Sequence, residues 1–191
     1  MTRRVFVDAN VFFSKTLTDW LFLLRFETEG MFQVHTTEDV CAEVIYRMRK
    51  KNPTAPGHFT RRRIDLLRGS LDEIIGDYPA DLPFTGADPA DYHVHAAATA
   101  GRADIVITAN KVGDFTNDPD AESYEVMHPD DFFLLVGESS RGCVPQVIEK
   151  QIMHWKHDAR RVQLDEMLER AGCPEFAITV RELLRHRALR P

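Results

Sequence analysis

Val5-Phe6-Val7-Asp8-Ala9-Asn10-Val11, near the start of the chain, and Ile105-Val106-Ile107-Thr108-Ala109-Asn110, a hundred residues later, decide the fold. Each opens with three apolar, mostly β-branched residues and no polar alternation, the pattern of a strand buried on both faces. Each then turns polar at once. Open α/β sheets gather their reactive groups in the loops at the carboxyl edge of buried parallel strands. Asp8, Thr108 and Asn110 are therefore expected side by side, although a hundred residues of chain separate them.

Outward from these runs, helical and extended patterns alternate. Leu21, Phe22, Leu24 and Phe26 recur at helical spacing between Thr18, read as an N-cap, and Gly30. Phe32 to His35 reads as a strand, and Thr36 or Thr37 caps a helix carrying Val40, Val44 and Met48. That helix stops before the loop Asn52-Pro53-Thr54-Ala55-Pro56-Gly57. His58 to Gly69 is helical, Ile74-Ile75 extended, and Tyr78 to Pro89 irregular. Pro89 to Ala100 forms the clearest helix, with proline in its first turn and Gly101 at its end. Glu125-Val126-Met127 gives a weaker strand, and Asp130 to Val136 a helix. The alternation implies an α/β fold with a parallel central sheet covered on both faces. Beyond Gly142 only helical spacing remains: Val144 to Trp155, Leu164 to Arg170, and Phe176 to Leu189. The expected organisation is a domain over residues 1–138 and a helical C-terminal extension over 139–191.

With 43% hydrophobic and 28% charged residues over 191 positions, the chain has the composition of a folded globular protein. The first residues run straight into a strand without a secretory apolar stretch, and no run approaches a membrane span. A cytoplasmic protein with no membrane association is the expectation. Cys41, Cys143 and Cys173 are odd in number and scattered, which disfavours a disulfide framework or zinc knuckle. A net charge of -6 argues against coating nucleic acid by charge alone. The charge is nonetheless segregated: Arg47, Arg49, Lys50, Lys51 and Arg61 to Arg63 form basic clusters, and Asp8, Asp88, Asp91 and Asp114 to Asp120 acidic ones.

Four acids from distant positions point to one edge. Asp8 follows the first strand, Asp114 follows the later one through Asn110, Asp91 lies in the first turn of the intervening helix, and Glu43 lies one turn into an earlier helix. Crowded carboxylates repel unless protonated or bridged by a cation, and an oxygen-only set favours Mg²⁺ or Mn²⁺. Such an ion activates water for attack on a phosphodiester, and a second one stabilises the leaving oxygen. Asp8, Asp91 and Asp114 are expected as catalytic metal ligands, with Glu43 a ligand or a positioner of water. Asn10, Thr108 and Asn110 orient these groups or touch phosphate without adding charge. Each acid has a plainer competitor. Asp8 can cap a turn, Glu43 can be a solvated helix residue, Asp88 and Asp91 can complement a helix N-terminus, and Asp114 can belong to a solvated acidic loop. What favours chemistry is that all four fall in one order at one edge.

The opening Val5-Phe6-Val7-Asp8-Ala9-Asn10-Val11 resembles the first motif of PIN-domain nucleases. The block Asp88-Pro89-Ala90-Asp91-Tyr92-His93-Val94, Ala96 to Ala98, Ile105 to Asn110 and Asp114-Phe115 resembles the second half of that site in VapC-like toxins. The resemblance implies an α/β/α sandwich, Mg²⁺-dependent RNA cleavage with Mn²⁺ as a substitute, a cognate VapB-like antitoxin and a homodimer. Its tail looks like the C-terminal extension of one subgroup. Arg47, where the Glu43 helix runs into the basic cluster, would then hold RNA phosphate. Arg61 to Arg63 read equally as phosphate contacts or a solvated face. Phe12, Phe13, Phe22 and Phe26 read as core or partner surface in preference to a base-stacking platform. His95 departs from the aliphatic or small residue expected there; it either approaches the acids or is hydrogen-bonded in helix packing. His154 and His157 have a metal-like spacing but no third ligand. Competing functions are a housekeeping RNA or structure-specific DNA nuclease, a non-catalytic scaffold, and a phosphatase using Asp8. The last wants a second carboxylate two residues on, where Asn10 stands.

Overall fold

The computed structural model describes residues 2–155 and 163–188. Contacts divide the chain into two compact units, one of residues 1–13 and 31–128 and the other of residues 14–30 and 129–191.

The first unit holds a five-stranded parallel sheet of β1 (Arg3–Val7), β2 (Phe32–Thr37), β3 (Glu73–Ile75), β4 (Ile105–Ile107) and β5 (Glu125–Met127), in the order β3-β2-β1-β4-β5. Val5 sits opposite Val34 on one side and Ile105 on the other. Val5, Phe6, Val7, Val106 and Ile107 are fully buried, as the unbroken apolar runs require. From β1 the chain moves outward to β2 and β3, then returns to β4 on the other flank. This reversal opens a crevice beyond the carboxyl ends of β1 and β4.

The unit's helices are α1 (Ala9–Phe13), α3 (Glu38–Lys51), α4 (Gly57–Ser70), α5 (Tyr92–Ala100) and α6 (Val112–Phe115). Thr37 caps α3 as its sequence suggested, its hydroxyl accepting the Val40 N–H at 3.2 Å. Val40, Cys41 and Val44 turn inward, while Arg49, Lys50 and Lys51 occupy the last turn, where cations suit the helix dipole. Pro89 to Asp91 form a tight 3₁₀ turn ahead of α5, with Asp88 as its N-cap.

The second unit is helical: α2 (Lys15–Glu27), α7 (Pro129–Ser139), α8 (Cys143–Trp155), α9 (Leu164–Arg170) and α10 (Pro174–Ala188). Ser14, not Thr18, caps α2, its hydroxyl accepting from Leu17 N–H at 3.3 Å. Thr18 lies inside the helix and turns its hydroxyl back to the Ser14 carbonyl at 2.8 Å. A threonine bonded four residues back is compatible with helix, so it did not mark a boundary. Trp20 meets Phe176 edge-on with ring centres 5.0 Å apart, and Phe133 packs on the same ring at 5.4 Å. Asp130, buried in this unit, accepts the N–H groups of Glu175 at 3.0 Å and Phe176 at 2.8 Å, satisfying orphan donors of the first turn of α10.

Cys41 in the first unit and Cys143 and Cys173 in the second are all buried free thiols. Burial raises the pKa of each above the ordinary thiol value. Among the described residues no helix is long and apolar enough to cross a membrane.

Candidate active site

The crevice is built from backbone outward. Asp8 donates its N–H to the Ile107 carbonyl at 3.1 Å, prolonging the β1–β4 ladder by one residue and fixing its side chain where the strands part. That carboxylate is 3% exposed. Oδ1 accepts the Ala9 N–H at 2.5 Å; Oδ2 accepts the Thr108 hydroxyl at 2.8 Å and the Asn10 amide at 2.6 Å. The plainer reading of Asp8, a turn cap, thus describes one oxygen and leaves the other to side chains of the crevice.

Asn10, in the first turn of α1, ties both strand ends together. Its Oδ1 accepts the Ala109 N–H at 3.0 Å, and its Nδ2 lies 2.9 Å from the Thr108 hydroxyl and 3.2 Å from Asn110 Oδ1. Asn110 in turn directs its amide at both oxygens of Asp91, at 3.2 and 2.9 Å. A continuous polar chain therefore runs Asp8, Asn10, Asn110, Asp91.

Asp91 is 7% exposed at the end of the 3₁₀ turn. Asp88 occupies one oxygen in capping that turn, accepting Ala90 N–H at 2.9 Å. Asp114 lies in α6, where its Oδ2 accepts Lys111 N–H at 3.0 Å. Glu43 is half-buried on α3 and accepts both Nε and Nη2 of Arg47, at 2.8 and 2.5 Å.

Electrostatics links these acids. Burial raises the pKa of Asp8; the hydrogen bonds from Thr108 and Ala9 oppose the rise, Glu43 adds to it, and Arg47 reduces it. Asp91 is pushed up to about 6, first by burial, against the Asn110 hydrogen bond, with the charges of Asp8, Asp88 and Asp114 adding to the rise. The anion at Asp91 is thus disfavoured by neighbouring acids and that at Asp8 by Glu43, the condition a cation relieves.

The donor chemistry, carboxylate and neutral oxygen without sulfur or imidazole, suits a hard divalent ion. As the side chains stand, no three His, Cys, Asp or Glu among the described residues are grouped closely enough to hold one. Asn110 occupies Asp91, and Arg47 occupies Glu43.

The family described as PIN domain matches residues 4–112, more than half of the 191-residue chain. The chain belongs to the PIN-domain family. No curated protein and no solved structure matches it. PIN domains are generally metal-dependent nucleases, and the matched segment of this one contains Asp8, Asn10, Glu43, Asp91, Thr108 and Asn110 but ends before Asp114.

A strap missed in the sequence holds the Asp91 and Asp114 sides of the candidate site together. Ala87 N–H donates to the Gly113 carbonyl at 2.9 Å, Asp88 N–H to the Asp114 carbonyl at 3.3 Å, and Asn117 N–H to the Thr85 hydroxyl at 3.1 Å. At Gly86 the backbones approach so closely that a Cβ would lie 2.2 Å from the Asp114 carbonyl oxygen. Within the irregular run from Tyr78 to Pro89, this glycine carried no signal of its own.

His95 is buried on α5, with Nδ1 2.7 Å from the Tyr124 hydroxyl and 3.6 Å from Glu122. These contacts join α5 to the chain before β5, the packing role weighed against an approach to the acids. His154 packs edge-on against Trp155, whereas His157 lies outside the described residues. Arg63 donates to the Phe12 carbonyl at 2.9 Å, whereas Arg61 and Arg62 are exposed.

Proposed function

We propose that this PIN domain is a metal-dependent endoribonuclease serving as the toxin of a VapBC-type pair, restrained by a VapB-like antitoxin. The observation that carries the nuclease reading is the presence of two buried carboxylates at the β1–β4 crevice, Asp8 and Asp91, with the charge of Asp8 adding to the destabilisation of Asp91. Asp8 and Asp91 would hold Mg²⁺, or Mn²⁺ in its place, with Asp114 and Glu43 completing the acidic set. When bound, the ion supplies activation of water and stabilisation of the leaving oxygen.

The remaining work falls to the chain. Thr108 and Asn10 fix the orientation of Asp8 through its Oδ2, so that its position costs little reorganisation. Asn110 sets the direction of Asp91. Glu43 orients water in the crevice, and Arg47, its partner on α3, offers a guanidinium to an RNA phosphate. The VapB-like segment would cover this crevice, and the toxin is expected as a homodimer in the cytoplasm.

The same carboxylates would serve a DNA nuclease or a housekeeping RNA nuclease, so the test offers both polymers. Purified protein is incubated with total RNA and with duplex DNA, in Mg²⁺ or Mn²⁺ and in EDTA, beside Asp8→Asn. Metal-dependent RNA cutting lost in the variant is expected; equal cutting by a folded variant overturns the mechanism, and DNA cutting alone overturns the substrate. The toxin role is tested by growth: induced wild type should arrest its host and Asp8→Asn should not. Normal growth despite RNA cleavage in vitro overturns that role.

A further inference from the structure

The hairpin of α3 and α4 is chemically unlike the rest of this acidic protein. Residues 38–70 contain eight Lys or Arg against four Asp or Glu, in a chain whose net charge is -6. Three of those cations are already paired, Arg47 with Glu43, Arg61 with Asp65 and Arg68 with Glu38. Lys50, Lys51 and Arg62 are exposed and pair with no acid among the described residues.

Their placement is continuous with the acid site. Glu43, Arg47 and Lys51 succeed one another at four-residue spacing and so form one row along α3. Tyr46 and Lys50 form the adjacent row, with Tyr46 63% exposed. The Lys51 ammonium sits 5.5 Å over the Phe13 ring, and Arg63 of α4 is tied to the carbonyl of Phe12. Phe12 and Phe13 close the short helix that begins next to Asp8, so α1 is the seam joining the two basic surfaces. One turn from Arg63, Phe59 is 60% exposed and stacks on His58 with ring centres 4.6 Å apart.

We infer that this surface is a track for unpaired RNA leading from the acid site, in which Arg47, Lys51, Arg62 and Arg63 follow the backbone and Tyr46 and Phe59 receive bases. Large exposed aromatic faces beside unpaired cations are costly in water and useful to a strand whose bases are unstacked. A duplex keeps its base faces covered and would engage only the cations. From Glu43 to Lys51 the row spans about 12 Å of helix, room for roughly two or three consecutive phosphates. A docked protein is the less fitting occupant, because lysine is depleted in such interfaces whereas here Lys50 stands one turn from Tyr46, the one aromatic of α3. The inference rests on the nuclease reading only for the direction in which the strand is fed.

The test uses the full chain carrying Asp8→Asn, in EDTA, with a fluorescent oligouridine of about a dozen nucleotides and an RNA duplex of equal length, followed by anisotropy. Adding Phe59→Ala should weaken single-strand binding roughly 5- to 100-fold and leave the duplex unaffected. Adding Lys51→Ala with Arg62→Ala should weaken both and lower the slope of log K against log salt by about 1.4 for the single strand. On the native background the same substitutions should leave Mn²⁺-dependent hydrolysis of bis(p-nitrophenyl) phosphate unchanged, which shows the acid site intact. Metal-dependent RNA cleavage with unaltered binding in every variant overturns the track and spares the nuclease. Variant-sensitive single-strand binding without any metal-dependent cleavage does the reverse. Equal binding of duplex and single strand, both insensitive to Phe59→Ala, overturns the role of the aromatics.

Discussion

Both units of this protein bury aspartates, and they bury them in opposite ways. In the helical unit Asp130 turns its two oxygens to two backbone N–H groups at the start of α10, donors that would otherwise be orphaned. Asp8 and Asp91 take their donors largely from side chains, Thr108, Asn10 and Asn110, and they face other acids. The first arrangement uses a charge to complete a helix. The second keeps charges together at a cost to stability, and such a cost marks a place where something other than folding is being served.

The contrast breaks most sharply under amide substitution. Asp8→Asn is expected to reduce RNA cleavage by more than about 100-fold, beyond what loss of a supporting contact causes, while its melting temperature stays within about 3 °C of wild type. Asp130→Ala should do the converse. Losing two charge-assisted bonds costs about 2–4 kcal/mol, a fall of roughly 5–10 °C in Tm, with cleavage per folded molecule unchanged. If the two variants behave alike in both assays, the distinction between the aspartates is wrong.

Gly86→Ala sharpens the comparison on the active-site side. Its methyl group meets the Asp114 carbonyl, so the strap must shift at a cost of about 1–3 kcal/mol, and cleavage should fall together with stability because Asp91 and Asp114 are held through the same strap. Unchanged activity in a folded variant would show that the strap positions nothing.

On stability in the absence of metal, Asp91→Asn carries the opposite sign. The folded-state pKa of Asp91, about 6, lies above the ordinary aspartate value of 3.8. The native state therefore binds the extra proton between those values, and the stability this carboxyl contributes is present below 3.8 and lost as pH rises through 6. In metal-free protein Asn at this position should stabilise by about 1–3 kcal/mol at pH 7 and confer no advantage below pH 4. Chemical denaturation at the two pH values checks it; a destabilised variant at pH 7 would mean that the Asn110 contact outweighs burial.

The strands and the polar edge were legible in the sequence because each depended on local pattern: three buried apolar residues followed at once by Asp8 or Thr108. The helix ends set by Thr37 and Gly101 were legible for the same reason. Ser14 was hidden because Thr18, equally suited to capping by type, stands one turn later, and α1 was hidden because five residues show no period. Gly86 and the pairing of His95 with Tyr124 depend on contacts across about thirty positions, which spacing along one chain does not encode. The four acids were nameable, but the hydrogen bonds of Asp8 to Asn10 and of Asp91 to Asn110 emerge only when β1 and β4 lie side by side.

The three sheltered thiols give the protein a pair of internal clocks. With Cys41 in one unit and Cys143 and Cys173 in the other, a thiol reagent in native buffer can modify each only during an opening that exposes it. Mass spectrometry of the labelled peptides would then time the breathing of the unit that holds the sheet and of the helical one separately, in a single tube and without introducing any reporter.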